Sequence, residues 1–390
     1  MASSTQAAFE VRFLEMLQRL LAEGDFSSTY KFAVLLGLTE LAVETSVPGE
    51  GCRESFTTLE LAEHVVALYW QQVRPFEPSR GGPAKPLRQN SGKQARIIAD
   101  LADLAEKTGA LPIGTLALRE RDAYWKCVQK IEWKLIEMPL PRLQRFPSGN
   151  DEFLYTINWG LEDVEPFGGR IKKEVDAYQA ARPHDFDNNI LMKPGVVETL
   201  ARLHGIVRQL VEARWILEVE KFNRHVFGER GLHDHLFGAD RWDTGEVRDS
   251  LRDQQDGRCF YCGSPARQAQ VDHFLPWARY PDDRIENLVV ACQRCNSSKS
   301  HYLADVDYVD HWIERFDSGS AAHRQMHDIA VRVAWPEGGA ATLAVASHLY
   351  GYYPEHVGLW HGVNDFRAWK RDEVTGRLAR AAGEIAAPLG

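Results

Sequence analysis

Two Cys-x-x-Cys pairs constrain this chain more than any other feature in it. Cys259-x2-Cys262 is followed, after 29 intervening residues, by Cys292-x2-Cys295. Each pair makes a turn that aims two thiolates at one point, and two such pairs complete the tetrahedral four-sulfur shell of a structural Zn²⁺. A closed shell leaves no position for substrate or water, so such a metal holds a fold and does not catalyse. A redox Cys-x-x-Cys pair is the alternative, but it would not need a second pair. Six cysteines in 390 residues are too few for a disulfide scaffold, and in a reducing compartment this pairing suggests metal. The other two, Cys52 and Cys127, stand alone and read as buried packing.

Between the pairs, "QVDHFLPW" is short, β-branched and aromatic, and reads as a strand ended by Pro276; "NLVVAC" reads as its antiparallel partner. From Gln293 the chain turns helical and runs on through "CNSSKSHYLADVDYVDHWIERF". The order is strand, loop, strand, helix. Asp272 and His273 are adjacent, so in a regular strand they point to opposite faces, and for both to serve one phosphate the strand must twist or end at His273. Pro276 supports an ending there. Asn296, Lys299 and Ser300 are spaced to share one helix face, whereas His301 falls off it.

This segment resembles the ββα-metal fold of HNH nucleases in its zinc-stapled form. The residues that carry the resemblance are Cys259 and Cys262, Asp272-His273, Asn287, and Cys292-x2-Cys295 followed by Asn296 and Lys299. It implies His273 as general base, Asn287 as its orienter, and Asp272 and Asn296 as ligands of a catalytic Mg²⁺ or Mn²⁺. Many zinc-stapled members have His where this chain has Asn296, and an amide oxygen in place of imidazole favours hard Mg²⁺ or Mn²⁺ over Zn²⁺ or Ni²⁺. Lys299 is expected to touch a phosphate. Phosphodiester cleavage needs a base for water, and imidazole, with an unperturbed pKa of about 6.5, suits that task. It also needs a cation against the charge that builds on phosphate and leaving oxygen.

Residues 252 to 301 carry seven basic and six acidic side chains, a net of only +1, so grip on a polyanion should come from elsewhere. Residues 74 to 96 are the most basic region, with Arg74, Arg80, Lys85, Arg88, Lys93 and Arg96 against Glu77 alone, a net of +5. Of these, Arg80, Lys85, Arg88, Lys93 and Arg96 are the candidate nucleic-acid contacts; a solvated loop is the competing reading. The whole chain has a net charge of −9, which argues against indiscriminate polyanion binding. Trp312, Trp335, Trp360 and Trp369 in the tail could stack bases, but read more readily as core. His225, His233 and His235 fit no ligand spacing.

The expected fold is mainly α with a small α+β module: a helical N-terminal domain for recognition or partner binding at 1–225, a junction at 226–250, a zinc-stapled HNH nuclease domain at 251–316, and a helical C-terminal extension at 317–390 packing on the rest. That plan resembles bacterial restriction or anti-phage defence nucleases. No apolar run reaches a membrane span, "FAVLLGLTELAV" being short and carrying Glu40. The N-terminus lacks a secretory pattern, so a cytoplasmic protein without membrane contact is expected. The implied activity is metal-dependent endonuclease cleavage, with DNA the foremost substrate and a protein partner or a homodimer as further candidates. The alternatives are a catalytically silent zinc-stapled adaptor and a nuclease effector active only with a partner.

Overall fold

The computed structural model describes residues 2–24, 27–48, 51–77, 84–92, 94–109, 111–146, 149–164, 169–224, 232–238 and 245–386. These residues are mainly helical, with small antiparallel sheets. Residues 1–42, 52–113 and 120–238 make one compact unit, and residues 43–51, 114–119 and 239–390 make another. No helix among the described residues is long and apolar enough to cross a membrane.

In the first unit, Thr57 starts the Thr58–Trp70 helix through a capping box, its hydroxyl accepting the Glu60 N–H while the Glu60 carboxylate accepts its own N–H at 2.8 Å. That arrangement satisfies two otherwise orphan donors. The helix packs on Arg121–Glu137, where the Thr58 hydroxyl donates to the buried Glu132 at 2.6 Å. Burial pushes the Glu132 carboxyl up from its ordinary value. Ser55–Thr57, Asn189–Met192 and Tyr155–Ile157 form a three-stranded antiparallel sheet in that order. Trp215, fully buried, meets Tyr69 edge-on at 5.2 Å and donates its ring N–H to Gln89 at 2.9 Å. Two helices, Val196–Arg202 and His204–Phe222, follow one another with Leu203 between them.

The second unit is built round the strand pair Ala269–His273 and Leu288–Cys292, antiparallel with Asp272 opposite Val289 and His273 opposite Leu288. Leu288 and Val290 face a core completed by Val247 and Leu251 from the Gly245–Gln254 helix and by Met326, Ile329 and Val333 from Ala321–Val333. Each such side chain contributes about 1.5–3 kcal/mol on burial. The helix Gln293–Lys299 packs on the same strand pair. Gln255 and Phe260 close the free edge of the Leu288–Cys292 strand through hydrogen bonds of 2.9 Å to Val290, which removes an exposed pairing edge.

One expectation is corrected here, and the reading of the tail tryptophans as core holds. The helix begun at Gln293 stops at Lys299, because Ser300 adopts φ +45°, and a new helix, Val306–Ile313, starts only after Asp305 caps it. Ser300 is therefore not on the helix face that carries Asn296. The tail tryptophans are core: Trp312, Trp335, Trp360 and Trp369 are all buried, and none offers a free face for base stacking. Trp312 stacks on Phe274 at 4.5 Å and donates to the Glu286 carbonyl at 2.8 Å. Trp360 donates to Ser298 at 3.0 Å.

Candidate active site and metal centre

The knuckle at Cys259 is closed by backbone bonds of 2.9 Å from the Cys259 N–H to the Ser264 carbonyl and from the Gly263 N–H to the Cys259 carbonyl. Gly263 adopts φ +66°, a conformation side chains resist. Cys292 precedes the first turn of the Gln293–Lys299 helix and Cys295 lies within it, so the strand-to-helix corner brings the second pair round to the first. The four sulfurs lie within 4.8 Å of one another, with Cys262 and Cys292 at 3.9 Å. Tetrahedral Zn–S bonds of about 2.3 Å require sulfur separations of about 3.8 Å, so these side chains fit a zinc. Burial opposes the Cys262 thiolate, but hydrogen bonds from Ser264 and the neighbouring thiols outweigh it and bring the group down to about 7. Burial and the crowding of sulfurs push Cys295 far up. A dication would reverse that balance, since it stabilises thiolates outright.

Asp272, His273 and Asn296 share one pattern: one polar atom is pinned and the other is left open. Asp272 Oδ2 accepts the Tyr261 hydroxyl at 2.6 Å and lies 3.1 Å from the Lys299 ammonium. Asn296 Nδ2 donates to Gln270 Oε1 at 2.9 Å. His273 Nε2 meets Asp283 Oδ1 at 2.7 Å. Asp272 Oδ1, Asn296 Oδ1 and His273 Nδ1 have no protein hydrogen bond among the described residues, and none is sealed from solvent. The strand ends at His273, as two adjacent residues serving one phosphate require.

Asn287 is fully buried and makes no hydrogen bond to the imidazole. It receives the Leu275 N–H at 2.7 Å and donates to the Leu275 and Asp282 carbonyls at 3.2 and 2.9 Å. The side chain thereby ties the chain just after His273 to the chain just before Asp283. All of its side-chain hydrogen bonds are to backbone.

Lys299 needs correction. Its side chain is 0% exposed, its ammonium donates to the His273 carbonyl at 2.7 Å, and it cannot reach a phosphate from there. Burial pulls its pKa down while Asp272 opposes that shift. Helical spacing named the right face, but the face is turned into the protein.

In the basic loop, Arg80 and Lys93 lie outside the described residues. Lys85 is exposed, and Arg96 is exposed with an ion pair to Asp100 at 3.0 Å. Arg88 is a second correction: its guanidinium donates to the Phe222 carbonyl and its backbone N–H to Asn223 at 2.8 Å, so it fastens the loop. His233 interacts with Glu212 at 3.3 Å and joins no metal cluster among the described residues.

Compared with models of known families, residues 259–302 match the one described as HNH endonuclease. This segment is an HNH domain. No curated protein and no solved structure matches the chain. The HNH match begins at Cys259, the first of the four clustered cysteines, and takes in both strands and the helix. Asp283, Tyr261 and Gln270, which hold the three candidate site residues, went unremarked in the sequence. The signal for Asp283 was the acidic pair Asp282-Asp283 in the mid-loop, counted only as charge; Tyr261 sat in plain view inside "CFYC".

Proposed function

We propose that the protein is a metal-dependent endonuclease that hydrolyses phosphodiester bonds in DNA, in the setting of bacterial restriction or anti-phage defence. The observation that carries this reading is the set of open atoms, Asp272 Oδ1, Asn296 Oδ1 and His273 Nδ1, each presented by a side chain whose other atom is pinned.

The two oxygens come from a carboxylate and an amide, the hard donors that suit Mg²⁺ or Mn²⁺. Asp272 and Asn296 would hold that ion, which when bound supplies neutralisation of charge on the phosphate and leaving oxygen. His273 takes a proton from water at Nδ1. Asn287 keeps the strand end and the following loop in register, and Lys299 and Tyr261 keep Asp272 from rotating.

The test is incubation of supercoiled plasmid with the full chain and Mg²⁺ or Mn²⁺. Metal-dependent nicking by wild type, abolished in a folded His273→Ala variant, is expected. No difference between the two proteins across metals and partners would overturn the reading in favour of a silent adaptor. A single site cuts one strand, so linear product requires two binding events. The net charge of only +1 over residues 252 to 301 favours a version in which a protein partner supplies affinity; cleavage appearing only on partner addition would identify it.

A further inference from the structure

We propose that Asp283 is a positioning residue that fixes the tautomer and ring orientation of His273; this rests on the nuclease reading above. A carboxylate only accepts hydrogen bonds, so at 2.7 Å from Asp283 Oδ1 the His273 Nε2 carries a proton. In the neutral ring the lone pair then lies on Nδ1, the nitrogen that is open to solvent. The imidazole is presented in the form that can accept a proton from water. Without the carboxylate the ring is free to take the other tautomer, which offers water an N–H and cannot act as base.

The loop is built to hold Asp283 in place. Its carbonyl accepts the ring N–H of buried Trp335 at 2.7 Å. The preceding residue, Asp282, is buried and takes hydrogen bonds from Thr342 at 2.9 Å and from the Arg284 N–H at 3.0 Å. The Arg284 guanidinium is locked on Glu44 at 2.6 Å. Asn287 ties the Asp282 carbonyl to Leu275. Backbone on both sides of the His273–Asp283 contact is thus anchored to core residues, while the Asp283 side chain, 35% exposed, makes no other ion pair or hydrogen bond among the described residues. Nothing in the packing needs that carboxylate, and the imidazole does.

In the step this serves, a water oxygen bonds to phosphorus and its proton passes to His273 Nδ1. The bond from phosphorus to the leaving oxygen breaks, and its electron pair stays on that oxygen. The proton on Nδ1 is later lost to solvent. Asp283 takes up no proton; its charge stabilises the imidazolium while it exists.

The experiment uses the full chain, with two readouts. In ¹⁵N-histidine spectra, the His273 signals, assigned by their loss in His273→Ala, should report the Nε2–H tautomer in wild type and a mixture in Asp283→Ala. In plasmid cleavage with Mg²⁺, Asp283→Ala and Asp283→Asn should lower kcat at least about tenfold with KM within about twofold, with unchanged thermal midpoint, and Asp283→Glu should restore part of the loss. An unchanged tautomer in Asp283→Ala, or kcat within about twofold of wild type, overturns the proposal. If wild type does not cut under any condition the nuclease reading falls, and the tautomer comparison still decides whether Asp283 sets the ring.

Discussion

Lys299 and Asp272 form an ion pair at 3.1 Å beneath the strand that carries His273, with the lysine side chain wholly shut off from solvent. A buried ammonium is tolerated because a carboxylate and the His273 carbonyl both receive it. The pair uses only Oδ2 of Asp272, so it aims the carboxylate without consuming it. Lys299→Met should remove the cation and leave the carboxylate buried beside Tyr261, at a cost of about 3–5 kcal/mol. Tyr261→Phe, which removes one hydrogen bond to a charged group, should cost about 1.5–3 kcal/mol. Urea unfolding measures both; a Lys299→Met loss below that of Tyr261→Phe would show that the pair is not what holds Asp272.

Asn287 offers a separate test of how the loop is held. Alanine there strips partners from the Leu275 N–H and from the Leu275 and Asp282 carbonyls, in a region without water access to the side chain. Unsatisfied buried groups cost about 1–3 kcal/mol each, and partial relaxation should bring the sum to about 3 kcal/mol. Backbone amide exchange at Leu275 should quicken well before the core strand at Val289 and Val290. Uniform quickening across both would mean global destabilisation only.

What was legible in the chain follows from how local each constraint is. The cysteine spacing could be read because a four-sulfur shell tolerates few arrangements, and the strand, strand, helix order follows from short apolar runs on either side of a polar loop. Asp272, His273, Asn287 and Asn296 could be named in order, but not which atom of Asp272, His273 and Asn296 stays open, because that depends on Tyr261, Asp283 and Gln270. Lys299 was misjudged because helical spacing gives a face without saying whether the face meets water. The break at Ser300 had no glycine to announce its positive φ. Trp335 and Thr342, which anchor the 282–283 loop, lie 52 and 60 residues from their partners and no periodicity links them.

Cys127 should be chemically silent in the native protein. It is buried on the Arg121–Glu137 helix, and burial, with the nearby Asp100 charge, pushes its thiol up to about 12. At pH 8 only about one molecule in ten thousand carries the thiolate that reacts. Iodoacetamide followed by mass spectrometry should leave Cys127 unmodified until denaturant is added. Labelling of Cys127 at native-state rates matching a free thiol would contradict its burial.

Nucleic-acid affinity, if the basic loop supplies it, should respond to Lys85 and Arg96 rather than Arg88. Lys85→Ala and Arg96→Ala should each reduce the slope of log affinity against log salt by about 0.9, the share of one phosphate contact. Arg96 gives up a surface pair with Asp100 that is worth little. Arg88→Ala should instead lower stability, because its guanidinium holds the Phe222 carbonyl. Fluorescence anisotropy over a salt series separates these outcomes, and unchanged slopes in the first two variants would remove the loop from the interface.

Zinc removal should separate folding from chemistry. Cys259 and Cys295 are buried ligand candidates, one from each Cys-x-x-Cys pair, so Cys259→Ser or Cys295→Ser should abolish a bound zinc and unfold the HNH segment. His273→Ala should keep the zinc and the fold. Because thiolates bind the ion and protons compete for them, zinc should be released as pH falls below neutrality. Metal analysis should find one zinc per chain in wild type, one in His273→Ala and none in either cysteine variant. Loss of zinc with an unchanged unfolding transition would mean that the apolar core around Leu288 and Val290 holds the module alone, and that the cysteines serve something other than structure.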